Sequence, residues 1–488
     1  MPVHDELAAE ADSEPAVIPS PTARRVDVPP RAALAIAAVL TAQLMLQLDA
    51  QVVTVALPQV QAALGFSAAG LSWVPNAYAL AFGGLMLLGG RLGDTFGRVR
   101  VFNLGTALFA AASLAAGLAP NASTMIIARV AQGVGAAIAA PSVLSLLTAM
   151  AKDEAARRRS MAMFTAASAV GSSFGLILGG ALTAFASWRW GLLINVPVGI
   201  AVVAVVHRLV RDSAPPVRSR VDIAGAVTAT AGSLSLVYGF IHAAEAGWGA
   251  VQTMLSFVLA AVLLAAFVVI ERRVAHPLLD LALLRHTGRA TALVVMGLVV
   301  GVHFALLFIL VQYLQRSLGM GALAAGLAFL PLTGTILTLN QFVPVFIRRI
   351  GPAKPLLAGA LFVAVSFVWF ARLDSESTYA GGVLAPLLLH SVGAALVFTP
   401  ATVMIMEGVP ADHTGSMSGF LQMVQQVSGS LGIAVVVAVY VGAGRPGQAA
   451  SGLAPAFHLA GAISVLAVLT ALAALVRRRS ARAPAPLS

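Results

Sequence analysis

The sequence predicts an all-α integral membrane protein of about fourteen spans, built as two related six-helix halves with an extra pair of helices between them. Three observations carry that expectation. Apolar residues make up 59% of the 488 positions, charged residues only 10%, and the mean hydropathy is +0.92, more apolar surface than a water-soluble fold can hide. The apolar runs are about 18 to 28 residues long, enough to cross a hydrocarbon core about 30 Å thick. Of the 30 basic residues, 25 fall in the connections and tails of one side and 4 on the other, the asymmetry the positive-inside rule requires; removing one span would invert every later connection, so the number of spans is even.

The segments follow in order. Residues 1–30 are polar and carry mixed charge with no apolar core, so they read as a disordered tail rather than a signal peptide. The first half, residues 31–210, holds spans at Ala33–Ala56, Leu71–Gly90, Val99–Leu118, Thr124–Thr148, Ser160–Ala186 and Gly191–Leu209. Residues 221–272 supply the additional pair, Ile223–Ala243 and Gln252–Ile270. The second half, residues 287–476, holds Thr291–Leu314, Leu323–Phe346, Pro355–Leu373, Ala380–Ile405, Met417–Val441 and Ala454–Val476, and residues 477–488 form a second tail.

With both termini placed in the cytoplasm of a plasma-membrane protein, the outer loops hold only Arg189, Arg316, Arg372 and Arg445 among the 30 basic residues, and Arg129 lies within a span. Trp73, Trp188, Trp190, Trp248 and Trp369 all fall at outer helix ends, where amphipathic rings favour the interface. The net charge of +11 is thereby explained by inner loops and asks for no nucleic acid. The chain has no cysteine, which excludes disulfides and thiolate metal sites. Asp94-Thr-Phe-Gly97-Arg98-Val-Arg100 and Arg348-Arg-Ile-Gly351-Pro-Ala-Lys354 occupy matching inner turns, each with a basic residue three positions after its glycine, and so link the two halves.

Asp49 is the one acid, and Arg129 the one cation, clearly at membrane depth within a span. Unpaired in lipid each costs several kcal/mol, of order 2.5–3.5, so both should face protein or water and share an interior. A carboxylate so placed can load and unload protons; the alternative is a buried pair that only ties helices together. Gln43, Gln47, Gln51 and Thr54 lie on one face of the same helix, nearly opposite Asp49. Either that helix is wrapped on both sides or one of the two sets is structural. The preferred reading points Asp49 to a proton path and the glutamines to neighbouring helices or substrate. With Asn76, Gln132, Asn340, His390 and Gln425 they form the substrate-binding candidates; Gln341, Gln426, His242 and His303 are further buried polar residues. A lone histidine of this kind is more often a hydrogen-bonded structural group than a proton carrier.

Gly171, Gly175 and Gly179, with Gly180 adjacent, form a small-residue stripe that admits another helix closely, as plain packing or as a pivot or seal between halves. No metal-ligand spacing, acid pair or nucleophile with its base is visible, so an enzyme is not expected. Gly133 and Gly135 have neither a preceding strand nor a P-loop lysine, which argues against a nucleotide site and for an ion gradient as the energy source, with no cofactor.

These residues resemble the major facilitator superfamily, specifically its fourteen-span drug:proton antiporter branch of the QacA and EmrB type. Leu48-Asp49-Ala-Gln-Val-Val-Thr-Val-Ala-Leu57-Pro58 is similar to that branch's first-helix signature, and Gly90-Arg-Leu92-Gly-Asp94-Thr-Phe-Gly97-Arg98-Val-Arg100 to the superfamily loop motif. Arg129-Val-Ala-Gln132-Gly133-Val-Gly135 resembles the fourth-helix motif and Gly171 through Gly180 the antiporter motif. Trp188-Arg-Trp190 with Asn195-Val-Pro197-Val-Gly199, Tyr313-Leu-Gln315, and Gly415 through Gln425-Gln426 echo further branch features. The resemblance implies a rocker-switch fold, proton-coupled efflux of lipophilic small molecules by a monomer, Asp49 as coupling acid and Arg129 as its modulator. It further implies that Gly90, Asp94, Gly97 and Arg98 form a cytoplasmic latch. Leu176 departs from the antiporter motif's usual proline, which keeps a facilitator or proton symporter in view, with a non-transporting receptor or scaffold as the remote alternative. With no second deep acid, neutral or monocationic compounds are expected over dications.

Overall fold

The structure is a computed structural model that describes residues 30–151, 153–211, 222–274, 286–374, 376–410, 414–444 and 451–480. The tail expected over residues 1–30 lies, apart from Pro30, outside the described residues, as does 481–488 of the second tail. Among the described residues the first eight helical segments are α1 (Pro30–Leu64), α2 (Trp73–Phe96), α3 (Arg98–Gly117), α4 (Ala122–Ala149), α5 (Glu154–Phe185), α6 (Trp188–Leu193), α7 (Asn195–Leu209) and α8 (Ile223–Ala246). The rest are α9 (Val251–Arg273), α10 (Thr287–Arg316), α11 (Ala322–Ala328), α12 (Leu330–Ile350), α13 (Ala353–Phe370), α14 (Leu384–Met406), α15 (Thr414–Ala443) and α16 (Leu453–Ser480).

Proline chemistry turns these segments into fourteen spans. Pro197 has no N–H to offer the Leu193 carbonyl, and the sixth span is interrupted at Ile194 between α6 and α7. Pro331 withholds the same bond from Leu327, and the tenth span is interrupted at Phe329 between α11 and α12. Pro58, Pro141, Pro344 and Pro400 instead lie inside unbroken helices. Thirteen spans meet the length and apolarity needed to cross a bilayer, and α5, the remaining one, is continuous over 32 residues.

One sequence boundary is corrected. The first span does not end at Ala56 but continues through Pro58 to Leu64, because Val60 and Leu64 are buried in the main apolar core and Gln59 and Gln61 find partners across the molecule. The last span ends at Val476, where the sequence places it, and α16 runs on to Ser480 at the start of the second tail.

The repeated inner turn has a common backbone cause. Gly97 ends α2 at φ 96° and Gly351 ends α12 at φ 74°, left-handed positions where a side chain would be strained. Both lie on the face of the bundle that carries Pro30 and the arginine-rich turns, hereafter the basic face; the five tryptophans mark the opposite, tryptophan face.

In the first half α4 packs against α2 and α3, and α1 against α5 and α7; in the second, α13 packs against α14 and α16, and α10 against α14, α15 and α16. The extra hairpin docks through α8 onto α2 and α15, where Gly84 leaves room for the Thr230 side chain. Its α9 turns Val251, Met254, Leu255, Val258, Leu259 and Val262 outward, an apolar surface suited to lipid. The main core joins the halves near the tryptophan face, with Leu57, Leu71, Leu176 and Trp188 packed together with Leu310, Leu314 and Phe329. Across the same face Gln59 Nε2 donates to Gln315 Oε1 at 2.9 Å, Gln315 Nε2 donates to the Val55 carbonyl at 2.8 Å, and Arg316 donates to Gln61. The halves are thus pinned together at their tryptophan ends.

Candidate functional site

Glycines decide where the charged residues meet. A Cβ on Gly133 would lie 2.5 Å from the Tyr78 carbonyl oxygen, and one on Gly135 would lie 2.6 Å from the Phe109 nitrogen, so α4 can lie this close to α2 and α3 only without side chains there. A Cβ on Gly89 would meet the Ala137 carbonyl oxygen at 2.0 Å, closing the α2–α4 crossing from the other side. The Arg129 side chain is thereby held between α1, α2 and α4.

Arg129 Nη1 donates to Asp49 Oδ2 at 2.5 Å and to Gln132 Oε1 at 3.0 Å, its Nε donates to the Val74 carbonyl at 3.0 Å, and its guanidinium carbon lies 4.5 Å from the Tyr78 ring centroid. The other carboxylate oxygen, Asp49 Oδ1, accepts from Asn195 Nδ2 at 2.8 Å and from Gln132 Nε2 at 3.1 Å. Gln132 also donates to Ser113 Oγ at 2.7 Å, and that hydroxyl donates to the Phe109 carbonyl at 2.8 Å. Asp49 and Arg129 are each 1% exposed, and every donor around the carboxylate suits its ionised, acceptor-only form. One anion therefore ties together α1, α4 and α7 directly, and α2 and α3 through Arg129 and Gln132.

The sequence brought Asp49, Arg129 and Gln132 forward. It gave no role to Asn195, Ser113 or Tyr78, which complete the cluster. Asn195 carried one local signal, a polar amide two residues before the proline that breaks its span. Gln132, one of the substrate-binding candidates, is fully buried and hydrogen-bonded to Arg129, Asp49 and Ser113.

The first helix is wrapped on both sides, the first of the two alternatives the sequence left open. Asp49 faces α4 and α7, while Gln43 donates to Ser168 Oγ on α5 at 2.9 Å. A Cβ on Gly171 would lie 2.8 Å from Gln47 Cβ, one on Gly175 would lie 2.6 Å from Gln51 Cβ, and one on Gly179 would lie 2.6 Å from Val52 Cα. That stripe thus packs α5 onto α1 within one half. Only Gly180 reaches across, 2.7 Å from Ala322 O on the same construction, beside the matching contact of Gly326 with the Leu176 carbonyl.

The remaining candidates are dispersed. Asn76 is buried on α2 with neither amide atom hydrogen-bonded. Asn340 accepts from Thr399 at 3.1 Å, Gln425 lies 4.0 Å from the Met296 sulfur, and His390 pairs with His303. Gly90 makes only ordinary contact with Pro141, Gly97 ends α2, and Arg98 opens α3 with an exposed side chain; the Asp94 side chain lies outside the described residues. Arg289, read from sequence as a loop cation, is 4% exposed and donates to the Ile405 and Glu407 carbonyls at 2.8 Å each, capping the end of α14. Among the described residues no three histidine or acidic side chains gather as a metal site would require.

The family model for the Major Facilitator Superfamily matches residues 39–433. The chain belongs to this superfamily. It is 38% identical over 445 residues to the cephamycin export protein CmcT of Amycolatopsis lactamdurans, covering 90% of this chain and 92% of that one. It is 35% identical to the puromycin resistance protein of Streptomyces alboniger, with 91% and 89% coverage, and 34% identical to the lincomycin resistance protein of Streptomyces lincolnensis, with 90% of each covered. Among solved structures, an auto-inhibited POT family peptide transporter superposes with a TM-score of 0.65 at 18% identity, covering 93% of this chain and 98% of that one. The xylose transporter XylE from E. coli does so with a TM-score of 0.56 at 13% identity, with 90% and 96% covered. This major facilitator protein is accordingly a multi-pass membrane transporter of small molecules and not an enzyme.

Proposed function

We propose that this transporter exports lipophilic, neutral or monocationic small molecules from the cytoplasm in exchange for protons, with its basic face in the cytoplasm. The observation that carries the reading is the environment of Asp49. An ionised carboxylate there accepts from Arg129, Gln132 and Asn195 at once. Protonation converts one acceptor oxygen into a donor facing other donors and leaves the Arg129 cation without its counter-charge. Breaking a buried pair in this way costs about 3–5 kcal/mol. That is comparable to the free energy of moving one charge through about 100–200 mV, at about 2.3 kcal/mol per 100 mV. A proton arriving at Asp49 can therefore favour a rearrangement of α1, α4 and α7 that lets Arg129 find other partners. Its departure restores the tie described above, so proton occupancy and helix arrangement are linked.

The arginine distribution supports the orientation, and the named antibiotic export and resistance proteins, matched over nine-tenths of this chain, support the direction and the class of cargo. Monomeric action and the absence of any cofactor belong to the same proposal. Leu176 favours a second reading, a facilitator or symporter, since it stands where the antiporter motif has proline and α5 is unbroken through that position. Proteoliposomes with an imposed pH gradient and puromycin as probe separate the two. The parent is expected to move puromycin against the proton flux, and Asp49→Asn to retain equilibrative exchange while losing gradient-driven movement. Movement of puromycin with the protons establishes the symporter, and equal gradient-driven transport by Asp49→Asn overturns the coupling role.

A further inference from the structure

In the second half, two histidines that the sequence separates by 87 positions meet in the core. His303 Nδ1 of α10 and His390 Nε2 of α14 lie 3.0 Å apart, with the rings inclined by 13° and their centroids 5.2 Å apart. Phe304, Phe367 and Phe398 close around them edge-on. His303 lies 16 residues from Thr287 and His390 16 residues from Met406, the basic-face ends of their helices, so at about 1.5 Å per residue both stand near the middle of the bundle.

The hydrogen-bond network assigns the tautomers. The Ser366 hydroxyl donates to the Val363 carbonyl at 2.6 Å, so toward His390 Nδ1, 3.4 Å away, its oxygen can only accept. His390 then carries its proton on Nδ1 and accepts at Nε2, which makes His303 the donor through Nδ1. The proton-free nitrogen left over is His303 Nε2, for which no hydrogen-bond partner is present among the described residues. His303 is also the more accessible residue, 8% exposed against 0% for His390. We propose that the His303–His390 pair is a second proton-binding site of this transporter, loading one proton at His303 Nε2. The resulting imidazolium donates to His390 through Nδ1, and that bond strengthens because its donor has become cationic.

Among the described residues no charged side chain contacts the pair. Of the charged and titratable groups on the elements packed around it, Arg289 lies at the basic-face end of α10, Arg348, Arg349 and Lys354 at the basic-face ends of α12 and α13, and Glu407 and Arg477, Arg478 and Arg479 at those of α14 and α16. Tyr313, Arg316, Tyr379, Tyr440 and His458 lie toward the tryptophan face, and Asp49 is engaged by Arg129. A proton on the pair is therefore uncompensated in the closed packing of the three phenylalanines and best held when water reaches His303. Its occupancy depends on which way the second half opens. This inference rests on the proton-coupled reading and gives each half one proton site: a carboxylate with a fixed cation in the first, and a neutral imidazole pair with no counter-ion in the second.

The test is nitrogen NMR of histidine-labelled full-length protein in bilayers, with His303→Gln and His390→Gln assigning the signals. In the parent, the two assigned rings are expected to bind about one proton between them as pH falls from about 8 to about 3, and each variant to abolish that uptake. Rings that both stay neutral throughout overturn the proposal, and the parent spectrum decides this even where a variant fails to fold. The transport arm uses puromycin in the same vesicles. His390→Gln is expected to carry about one proton fewer per puromycin than the parent while Asp49→Asn still titrates the pair. An unchanged proton count in His390→Gln, with Asp49→Asn uncoupled, rejects the second site and leaves the Asp49 reading intact; an unchanged count in Asp49→Asn rejects that reading instead.

Discussion

Asp49→Asn keeps the shape of the side chain and removes its charge, which leaves the Arg129 guanidinium buried against neutral partners. Loss of one member of a buried pair costs about 3–5 kcal/mol. The Val74 carbonyl, the Gln132 amide oxygen and the Tyr78 face remain in place, and hydrogen bonds to a charged group are worth about 1.5–3 kcal/mol each, so the lower end, about 3 kcal/mol, is expected. Arg129→Leu strands the carboxylate instead, but Asp49 can answer by taking up a proton, so that variant should lose less. The double variant has no stranded charge and should be more stable than the sum of the singles by about 2–3 kcal/mol. Thermal unfolding of purified protein, followed by tryptophan fluorescence, reads the cycle. At roughly 1–2 °C per kcal/mol for a chain this long, Asp49→Asn should lower the midpoint by about 3–6 °C. Additivity of the three variants within about 0.5 kcal/mol would refute the claim that these two residues act as one unit.

Three further outcomes are expected. Gly179→Ala places a methyl 2.6 Å from Val52 Cα and 2.7 Å from its carbonyl oxygen, backbone that cannot step aside, so stability should fall by about 1–3 kcal/mol in the same melt; an unchanged midpoint would mean α1 and α5 are not in close contact. Arg289→Ala removes the donors of the Ile405 and Glu407 carbonyls and should raise amide exchange in the last turn of α14, where unchanged exchange would show that the cap is dispensable. In the loop after α13, Asp374 accepts from the Ser377 hydroxyl and from the Glu376 and Ser377 amides, which holds its carboxyl below the ordinary carboxylate range. A lowered value in the folded loop stabilises it above the carboxylate's ordinary range and loses that effect as pH falls through the folded one. The Glu376 and Ser377 amides should therefore lose protection below about pH 4, and constant protection down to pH 2 would contradict the assignment.

What the sequence made legible follows from energetic cost. A carboxylate and a guanidinium in apolar spans are expensive enough that each announces a partner, and Asp49 and Arg129 do meet. The neutral groups that complete the site are cheap to place anywhere, so nothing marked Ser113 or Tyr78 out from other buried polar residues. The two faces of the first helix were visible as periodicity. Which neighbour each face meets was not, because it depends on where Gly171, Gly175 and Gly179 admit α5. The end of α1 was not legible either: burial of Val60 and Leu64 and the bonds of Gln59 and Gln61 to α10 carry the helix past Pro58 to Leu64. Single histidines gave no sign of pairing, since His303 and His390 are brought together only by the packing of α10 against α14.

The most direct test of the coupling role is the protonation state of Asp49 itself as cargo binds. Infrared difference spectra of the parent and of Asp49→Asn, recorded with and without puromycin, report the protonated carboxyl stretch. The expected result is a carboxyl band in the parent that changes on puromycin binding and is absent from Asp49→Asn. A carboxylate that stays ionised against Arg129 at every pH and with or without puromycin would contradict it.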